Sequence, residues 1–221
     1  IAEVSYSREA LGSRGIDLME AKIQRIDLVK GEIATSQGAL RGDYLIIALG
    51  ADYDMTPVPE LDRAAHEFYT LAGATRLRDR LRDFNHGDLV VLIPRAPFKC
   101  PPAPYEGAML MHHALQARGV RDSVRIAIHT VEGAPMATAG PEMGKFIRDQ
   151  LAARSISYHP ARKTVSVDAE RHTIRFEDGS EANYDLLVTV PPHVAPPVVR
   201  EAGLVNQSGW IPADPQTLKV S

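Results

Sequence analysis

Apolar residues occur in short runs along the 221 residues, and their spacing predicts most of the secondary structure. Runs rich in β-branched residues favour strands buried on both faces, at residues 88–93, 124–129 and 184–190 and within 42–51. Shorter stretches predict further strands, at 16–21, 23–29, 32–36, 156–159, 163–168, 173–176 and 210–214. Good helix formers predict helices at 72–84, 108–118, 140–154 and 198–204. This mixture predicts an α/β protein.

The order of these elements repeats. Residues 88–129 read strand, loop, helix, strand, which is a βαβ unit of a parallel sheet. Two hairpins, with turns at Lys30-Gly31 and Asp178-Gly179, are each followed by a Tyr/Asp pair and an apolar strand. This internal similarity indicates two copies of one dinucleotide-fold plan. Because the chain opens on Ile1 and the first copy lacks its opening strand and glycine fingerprint, we expect the sequence to start inside a longer protein.

Composition narrows the possible functions. With 44% apolar residues, 24% charged residues and a net charge of -3, nothing indicates nucleic acid as a partner. No apolar run approaches the roughly 18 residues of a membrane span. A single cysteine excludes an internal disulfide and a cysteine-based zinc site within these residues. His112 and His113 are adjacent and would point to different helix faces, so we predict no metal site.

The one cysteine lies in the densest proline cluster of the chain, the loop 94–106 after the strand 88–93. Dinucleotide-binding units place a glycine-rich phosphate turn here, but this loop has no glycine and its five prolines remove amide donors. Pro104 suits the first helical position, which would put Cys100 just ahead of the positive end of the helix, and Lys99 adds a cation. Both effects favour the thiolate form of Cys100, so a nucleophile is predicted.

Other interpretations of the same residues stay open. A lone cysteine can be a small buried hydrophobic residue, and Glu106 in a first helical turn can simply complement the helix dipole. Glu132 follows the second strand where nucleotide-binding units hold a ribose, but without the glycine turn we do not assign it to a cofactor. His193, in the proline linker 191–197, is expected to be a surface polar group.

The residues 98–106, Phe-Lys-Cys-Pro-Pro-Ala-Pro-Tyr-Glu, closely resemble a family signature. The KCPPAPYE motif is typical of sulfide:quinone oxidoreductases and of the flavoprotein subunit of flavocytochrome c sulfide dehydrogenase. The resemblance implies a Rossmann-like flavoprotein core with two dinucleotide domains, incomplete at both ends. It implies an FAD-binding part at 1–53, a degenerate NAD(P)-binding-like domain at 54–194 that carries the cysteine motif, and a return segment at 195–221.

The resemblance also implies roles for individual residues. Cys100 would be one half of a redox-active cysteine pair beside the flavin of FAD, and Glu106 the proton carrier. The partner cysteine would lie beyond Ser221, and the absence of another cysteine in the connection 52–87 favours the two-cysteine pattern of the flavocytochrome branch. Contacts with the cofactor are assigned to five residues: Ala21, Leu49, Gly50, Lys99 and Pro102.

The implied activity is oxidation of sulfide, with electrons passing through FAD to a quinone or a c-type cytochrome. The chain alone is expected to be inactive, because it lacks the FAD phosphate fingerprint and the second sulfur. The resemblance favours the cytoplasmic or periplasmic face of a bacterial membrane, with peripheral attachment through other parts of the protein, and allows a homo-oligomer. Two alternatives remain: an NAD(P)H-dependent flavin or disulfide reductase, and a non-catalytic domain that docks another subunit.

Overall fold

A computed structural model of the protein describes residues 9–12 and 14–220. Contacts between Cα atoms divide the chain into two compact units. One unit joins the residues up to Gly50 with those from Ala195 onward, and the other is Ala51–Val194. The sequence prediction placed its domain limits after residues 53 and 194. The nucleotide that each unit would bind stays a prediction.

The unit Ala51–Val194 is built on a five-stranded parallel sheet with the strand order β5-β12-β6-β7-β8. These strands are β5 (Ala65–His66), β6 (Gly87–Ile93), β7 (Val124–Thr130), β8 (Ile156–His159) and β12 (Leu186–Thr189). They confirm the strands predicted at 88–93, 124–129, 156–159 and 184–190. The parallel sheet confirms the α/β fold class.

Both faces of this sheet are covered. Helices α3 (Leu71–Asp83), α4 (Ala103–Ala117) and α5 (Pro141–Ala152) contribute to the core on one face, together with Leu89, Val91 and Ile93 of β6. On the other face, Val90 and Leu92 join a second core with the helix α2 (Leu61–Ala64) and an antiparallel sheet. Successive residues of β6 therefore enter different cores, as the period of a strand requires.

Two antiparallel meanders of three strands occur, one in each unit. The first contains β1 (Ile23–Asp27), β2 (Glu32–Thr35) and β3 (Gly38–Arg41). The second contains β9 (Thr164–Asp168), β10 (Thr173–Phe176) and β11 (Glu181–Asn183). The hairpin predicted at Lys30-Gly31 is present and gains β3, which the sequence analysis missed. The turn at Asp178-Gly179 is also present, but it joins β10 to β11, a strand that was not predicted. The repeated meander agrees with the internal similarity seen in the sequence.

The remaining described elements are short. They are α1 (Glu9–Gly12), β4 (Asp52–Tyr53), β13 (His193–Val194), α6 (Pro197–Glu201) and two 3₁₀ turns at Arg121–Ser123 and Ala137–Ala139. Strands β4 and β13 pair with each other in antiparallel register. The helices predicted at 72–84 and 140–154 are confirmed as α3 and α5, whereas α6 begins and ends earlier than the predicted 198–204.

Three predicted strands are wrong. Residues 16–21, the stretch within 42–51 and residues 210–214 lack strand structure, apart from a single bridge between Ala213 and Val220. Ile46, which the prediction placed in a buried strand, is 88% exposed. A strand needs a neighbour that takes up its backbone hydrogen bonds, and no strand of the described residues lies beside the segment 45–49. An apolar run indicates a tendency to form a strand, but it does not show whether another strand is available to pair with it.

A buried carboxylate organises the start of α3. Glu67 is 9% exposed, and its Oε2 accepts hydrogen bonds from the backbone N–H groups of Tyr69 (2.6 Å) and Thr70 (2.9 Å). The Thr70 hydroxyl donates to Glu67 Oε1 (2.6 Å) and accepts from the N–H of Gly73 (2.9 Å), so Thr70 is the N-cap of the helix. Glu67 thereby fixes the backbone at Tyr69.

We predict that Gly73→Ala destabilises the protein by about 2 kcal/mol. A Cβ at this position would collide with the Glu67 carboxylate, which cannot move without breaking the cap, and would lie 2.7 Å from the backbone oxygen of Glu67. Chemical denaturation measures the change. The matched control is Gly133→Ala, where a Cβ meets no atom within 4 Å, and it should change stability by less than about 1 kcal/mol. Equal stabilities of the two variants would contradict the packing described for Gly73.

His129, near the end of β7, is a buried neutral base. Its ring is 7% exposed and stacks on those of His159 and Phe176, with centroid distances of 4.4 Å and 5.2 Å. Burial, together with the smaller effects of His159 and Arg162, lowers the pKa of His129 to about 4. The folded protein therefore leaves His129 unprotonated at pH values where an unfolded histidine binds a proton.

We expect the free energy of unfolding to fall as the pH falls from about 6.5 to about 4, because the unfolded state then binds a proton at this position and the folded state does not. The His129 contribution amounts to up to about 3 kcal/mol and should disappear in His129→Phe, which keeps an aromatic ring in the stack. Denaturation at several pH values measures it. Other groups titrate in both proteins, so parallel curves for the two would show that His129 is not the source.

Candidate active site

The loop between β6 and α4 carries the cysteine. Helix α4 follows Pro102 as its N-cap and begins at Ala103, one residue before Pro104, the predicted first helical position. The prolines lie where helical N–H groups would lack a partner, and the N–H of Ala103 donates to the Cys100 carbonyl (2.9 Å). Gly119, with a φ of 72°, ends the helix region as predicted. The loop therefore presents Cys100 directly ahead of a helix of 15 residues.

Cys100 is exposed, and its backbone is in the left-handed region with a φ of 58°. This conformation costs a residue other than glycine about 1–3 kcal/mol, and it persists only where the surroundings determine it. The exposed thiol rules out the alternative of a cysteine buried in the core of this unit. A strained and accessible cysteine is typical of a reactive site.

Three rings lie beside this loop, those of Tyr53, Tyr69 and His193, and we name them the aromatic support. His193 meets both tyrosines edge-on, at centroid distances of 4.9 Å to Tyr53 and 5.1 Å to Tyr69. The Tyr69 hydroxyl donates to the carbonyl of Lys99 (3.3 Å), and the Lys99 ammonium lies 5.1 Å from the centroid of the Tyr53 ring. The support thus holds both the backbone and the side chain of the residue before Cys100.

His193 is the buried member of the support. It is 9% exposed, so the expectation of a surface histidine is wrong. Its Nδ1 lies 2.7 Å from the carbonyl oxygen of Pro191, which can only accept, so Nδ1 carries the proton. Burial lowers the pKa of His193, and the charge of Lys99 also lowers it. The hydrogen bond to the Pro191 carbonyl raises this pKa but does not outweigh burial. The sequence carried no local signal for this burial, because the rings that cover His193 belong to Tyr53 and Tyr69, which are distant along the chain.

Glu106 lies in the first turn of α4 and is exposed. It borders an open depression of about 660 Å³, together with His112 and His113 of the same helix. Glu106 and Cys100 are therefore both at the N-terminal end of α4. A direct contact between them is not seen in this structure, so the proton transfer assigned to Glu106 stays a prediction.

Glu132 has a partner within the protein. The hydroxyl of Tyr105, a residue that is fully buried, donates to Glu132 Oε2 (2.6 Å). Burial raises the pKa of Tyr105 far above its ordinary value, and the bond to Glu132 raises it further, so the hydroxyl remains a donor. The carboxylate that could have bound a ribose is therefore used to fix the start of α4 against the end of β7.

The residues assigned to the cofactor are distributed over the two units. Lys99 and Pro102 flank Cys100, whereas Ala21, Leu49 and Gly50 belong to the other unit. Gly50 has a φ of 71°, and a Cβ there would meet no atom within 4 Å, so its backbone is open to close approach. Leu49 is 40% exposed and Ala21 is half-buried. Their contacts with FAD stay predictions.

Within residues 9–12 and 14–220, His, Cys, Asp and Glu side chains nowhere gather in a group of three that could hold a metal ion. In the same part of the chain, no helix has both the length and the apolar character needed to cross a membrane.

Comparison with known proteins identifies the family. A sequence model described as "Sulfide dehydrogenase [flavocytochrome c] flavoprotein chain, central" matches residues 74–191, which include the cysteine loop and more than half of the chain. The chain belongs to this family. The flavocytochrome c sulfide dehydrogenase family is the one that the KCPPAPYE motif indicated, so the recognition made from the sequence is confirmed.

Relatives and solved structures agree with this family. The mitochondrial sulfide:quinone oxidoreductase of Mus musculus is 21% identical over 217 residues, covering 93% of this chain and 48% of the mouse protein. An alternative NAD(P)H-ubiquinone oxidoreductase of Arabidopsis thaliana is 28% identical over 116 residues, 50% of this chain and 22% of that protein. This chain thus spans at most about half the length of these relatives.

The solved structures share the fold. The sulfide:quinone oxidoreductase of Aquifex aeolicus matches with a TM-score of 0.73 at 21% identity, covering 90% of this chain and 48% of that one. A ferredoxin reductase from Rhodopseudomonas palustris matches with a TM-score of 0.67 at 20% identity, covering 92% and 48%. The Rossmann-like oxidoreductase fold predicted for this family member is confirmed.

Proposed function

We propose that the protein to which these residues belong oxidises sulfide through Cys100, with FAD as cofactor and a quinone or a c-type cytochrome as the final electron acceptor. The observation that carries the proposal is an exposed cysteine in a left-handed conformation, at the end of β6 and ahead of α4. The matching of residues 74–191 to the sulfide dehydrogenase family supports it.

The sulfur chemistry begins with an exchange. Hydrosulfide attacks one sulfur of a disulfide between Cys100 and a second cysteine that is not among these 221 residues. One S–S bond forms and one breaks, leaving a cysteine persulfide and a cysteine thiolate. Joining these two groups in a new S–S bond releases two electrons and the proton of the persulfide, which Glu106 accepts. Bound FAD would supply the two-electron oxidant for this step.

The residues near Cys100 fit contact with a flavin better than contact with a diphosphate. The prolines at 94, 97, 101, 102 and 104 have no N–H to offer, and the loop contains no glycine. Lys99, the residue directly before Cys100, carries a cation that lies 5.1 Å from the centroid of the Tyr53 ring, and Gly50 of the other unit has an open backbone. In this proposal Lys99 and Pro102 border the flavin near the thiol, while Ala21, Leu49 and Gly50 contact it from their own unit.

An NAD(P)H-dependent reductase is the second candidate, since one relative is an NAD(P)H-ubiquinone oxidoreductase. The loop without glycine and the bond between Tyr105 and Glu132 argue against it, because they remove the phosphate and ribose contacts of a nicotinamide dinucleotide. Anaerobic mixing with NADH or with sulfide separates the two: a flavin bleached by NADH and not by sulfide would favour the reductase.

We predict that Cys100→Ser in the full protein abolishes bleaching of the flavin by sulfide while FAD remains bound, because a hydroxyl cannot form the disulfide or the persulfide. Anaerobic absorbance spectroscopy measures both properties. Sulfide-dependent bleaching that survives in the variant would refute the role of Cys100. Loss of FAD together with bleaching would instead assign Cys100 a part in cofactor binding and leave its sulfur chemistry without support.

We further predict that Glu106→Gln slows flavin reduction by sulfide by about 10²-fold, since the amide cannot take the proton. The matched control is Glu142→Gln. Glu142 is the acidic residue in the first turn of α5, so this substitution removes the corresponding interaction of a carboxylate with a helix dipole. Its reduction rate should stay close to that of the unchanged protein. Stopped-flow absorbance gives both rates, and an equal effect of the two substitutions would assign Glu106 a dipole role only.

A further inference from the structure

We propose that the aromatic support of Tyr53, Tyr69 and His193 is a set of positioning residues that holds the Lys99 ammonium beside the Cys100 thiol, so that the site favours small anionic sulfur compounds. This inference rests on the proposed function and assigns to it three residues that position a cation for the hydrosulfide anion. It concerns residues outside the loop, to which the sequence analysis gave no functional part.

The support is anchored at two independent places. His193 and Tyr53 are paired residues of strands β13 and β4, and the His193 ring is fixed by the bond from Nδ1 to the Pro191 carbonyl (2.7 Å). The backbone of Tyr69 is fixed by the buried carboxylate of Glu67 (2.6 Å). The two tyrosine rings lie 6.1 Å apart, and His193 fills the angle between them. Both tyrosine rings therefore pack against the buried imidazole.

The support acts on Lys99 in two ways. The ring of Tyr53 attracts the ammonium through its negative face, at 5.1 Å from the centroid. The hydroxyl of Tyr69 donates to the Lys99 carbonyl, one peptide unit before Cys100. Because the left-handed conformation of Cys100 persists only if its neighbours are held, this bond also helps to keep the thiol exposed.

His193 contributes without adding charge. Its Nε2 is buried and has no hydrogen-bond partner among the described residues, so the imidazole packs as a neutral ring. A positive charge there would repel Lys99, and burial and Lys99 both lower the pKa of His193. An uncharged His193 leaves the ammonium of Lys99, the residue directly before Cys100, as the positive charge that the aromatic support holds.

The test measures charge selectivity at one cysteine. The full protein with FAD is first reduced anaerobically with a phosphine, so that Cys100 is a free thiol. Cys100 is then alkylated with iodoacetate, which is an anion, and with iodoacetamide, which is neutral, and peptide mass spectrometry reads modification of Cys100 alone. The ratio of the two rate constants reports the local positive charge. General loosening of the loop changes both rates, whereas displacement of Lys99 changes the ratio.

We expect Lys99→Met to lower this ratio about two- to threefold at low ionic strength, the effect of one unit charge acting across several ångströms of water. Tyr69→Phe, which removes one oxygen, Tyr53→Leu and His193→Leu should each lower the ratio in the same direction. His193→Gln should keep more of it, because the amide N–H can still donate to the Pro191 carbonyl. The control Lys145→Met removes a cation paired with Asp149 on α5 and should leave the ratio unchanged.

A ratio that falls in Lys99→Met but not in Tyr69→Phe or His193→Leu overturns the positioning role. A ratio unchanged in Lys99→Met overturns the role of the cation. If His193→Leu fails to fold, as judged by circular dichroism, Tyr69→Phe decides the outcome. The assay contains no sulfide, so its failure is separate from failure of the proposed function, which is read from flavin bleaching in Cys100→Ser.

Discussion

Burial of β6 on both faces determines where everything else in Ala51–Val194 can lie. On one face of the strand the helices pack against Leu89, Val91 and Ile93, and on the other face the meander packs against Val90 and Leu92. A shift of the strand by one residue would therefore exchange its two sets of contacts. Neighbouring parallel strands on each edge hold it further. The chain therefore leaves the sheet after Ile93 at a fixed point and in a fixed direction.

The loop that follows Ile93 differs in its chemistry from the turn that binds a nucleotide at the same place in related folds. Proline supplies stiffness without strand or helix hydrogen bonds, and it removes the N–H groups on which a diphosphate depends. Tyr105 then ties the start of α4 to Glu132 at the end of the next strand. The same βαβ frame thus presents one side chain, Cys100, in place of a row of backbone amides. Membership of the sulfide dehydrogenase family agrees with such a presentation.

Much of this could be predicted from the sequence, because it depends on local pattern. Runs such as 88–93 and 124–129 indicate buried strands by composition alone, and the motif around Cys100 indicates the family. The failures have a common cause in tertiary contacts. The segment 42–51 has the residues of a strand but no neighbour among the described strands, and His193 is buried by Tyr53 and Tyr69, which are far from it in sequence. Neither relation leaves a mark in local periodicity. The capping of α3 by Glu67 could not be predicted for the same reason, because it depends on the tertiary fold burying this carboxylate.

The pairing of β4 with β13 has a consequence for how such proteins are put together. It brings Asp52 and Val194, which lie at the two ends of Ala51–Val194, next to each other. A domain whose first and last residues are neighbours can be inserted into another domain, lost from it or exchanged by recombination. The chain that receives it then has only a short gap to close. An inserted domain of this kind can therefore change between a reactive cysteine loop and a nucleotide-binding turn while the rest of the protein keeps its structure.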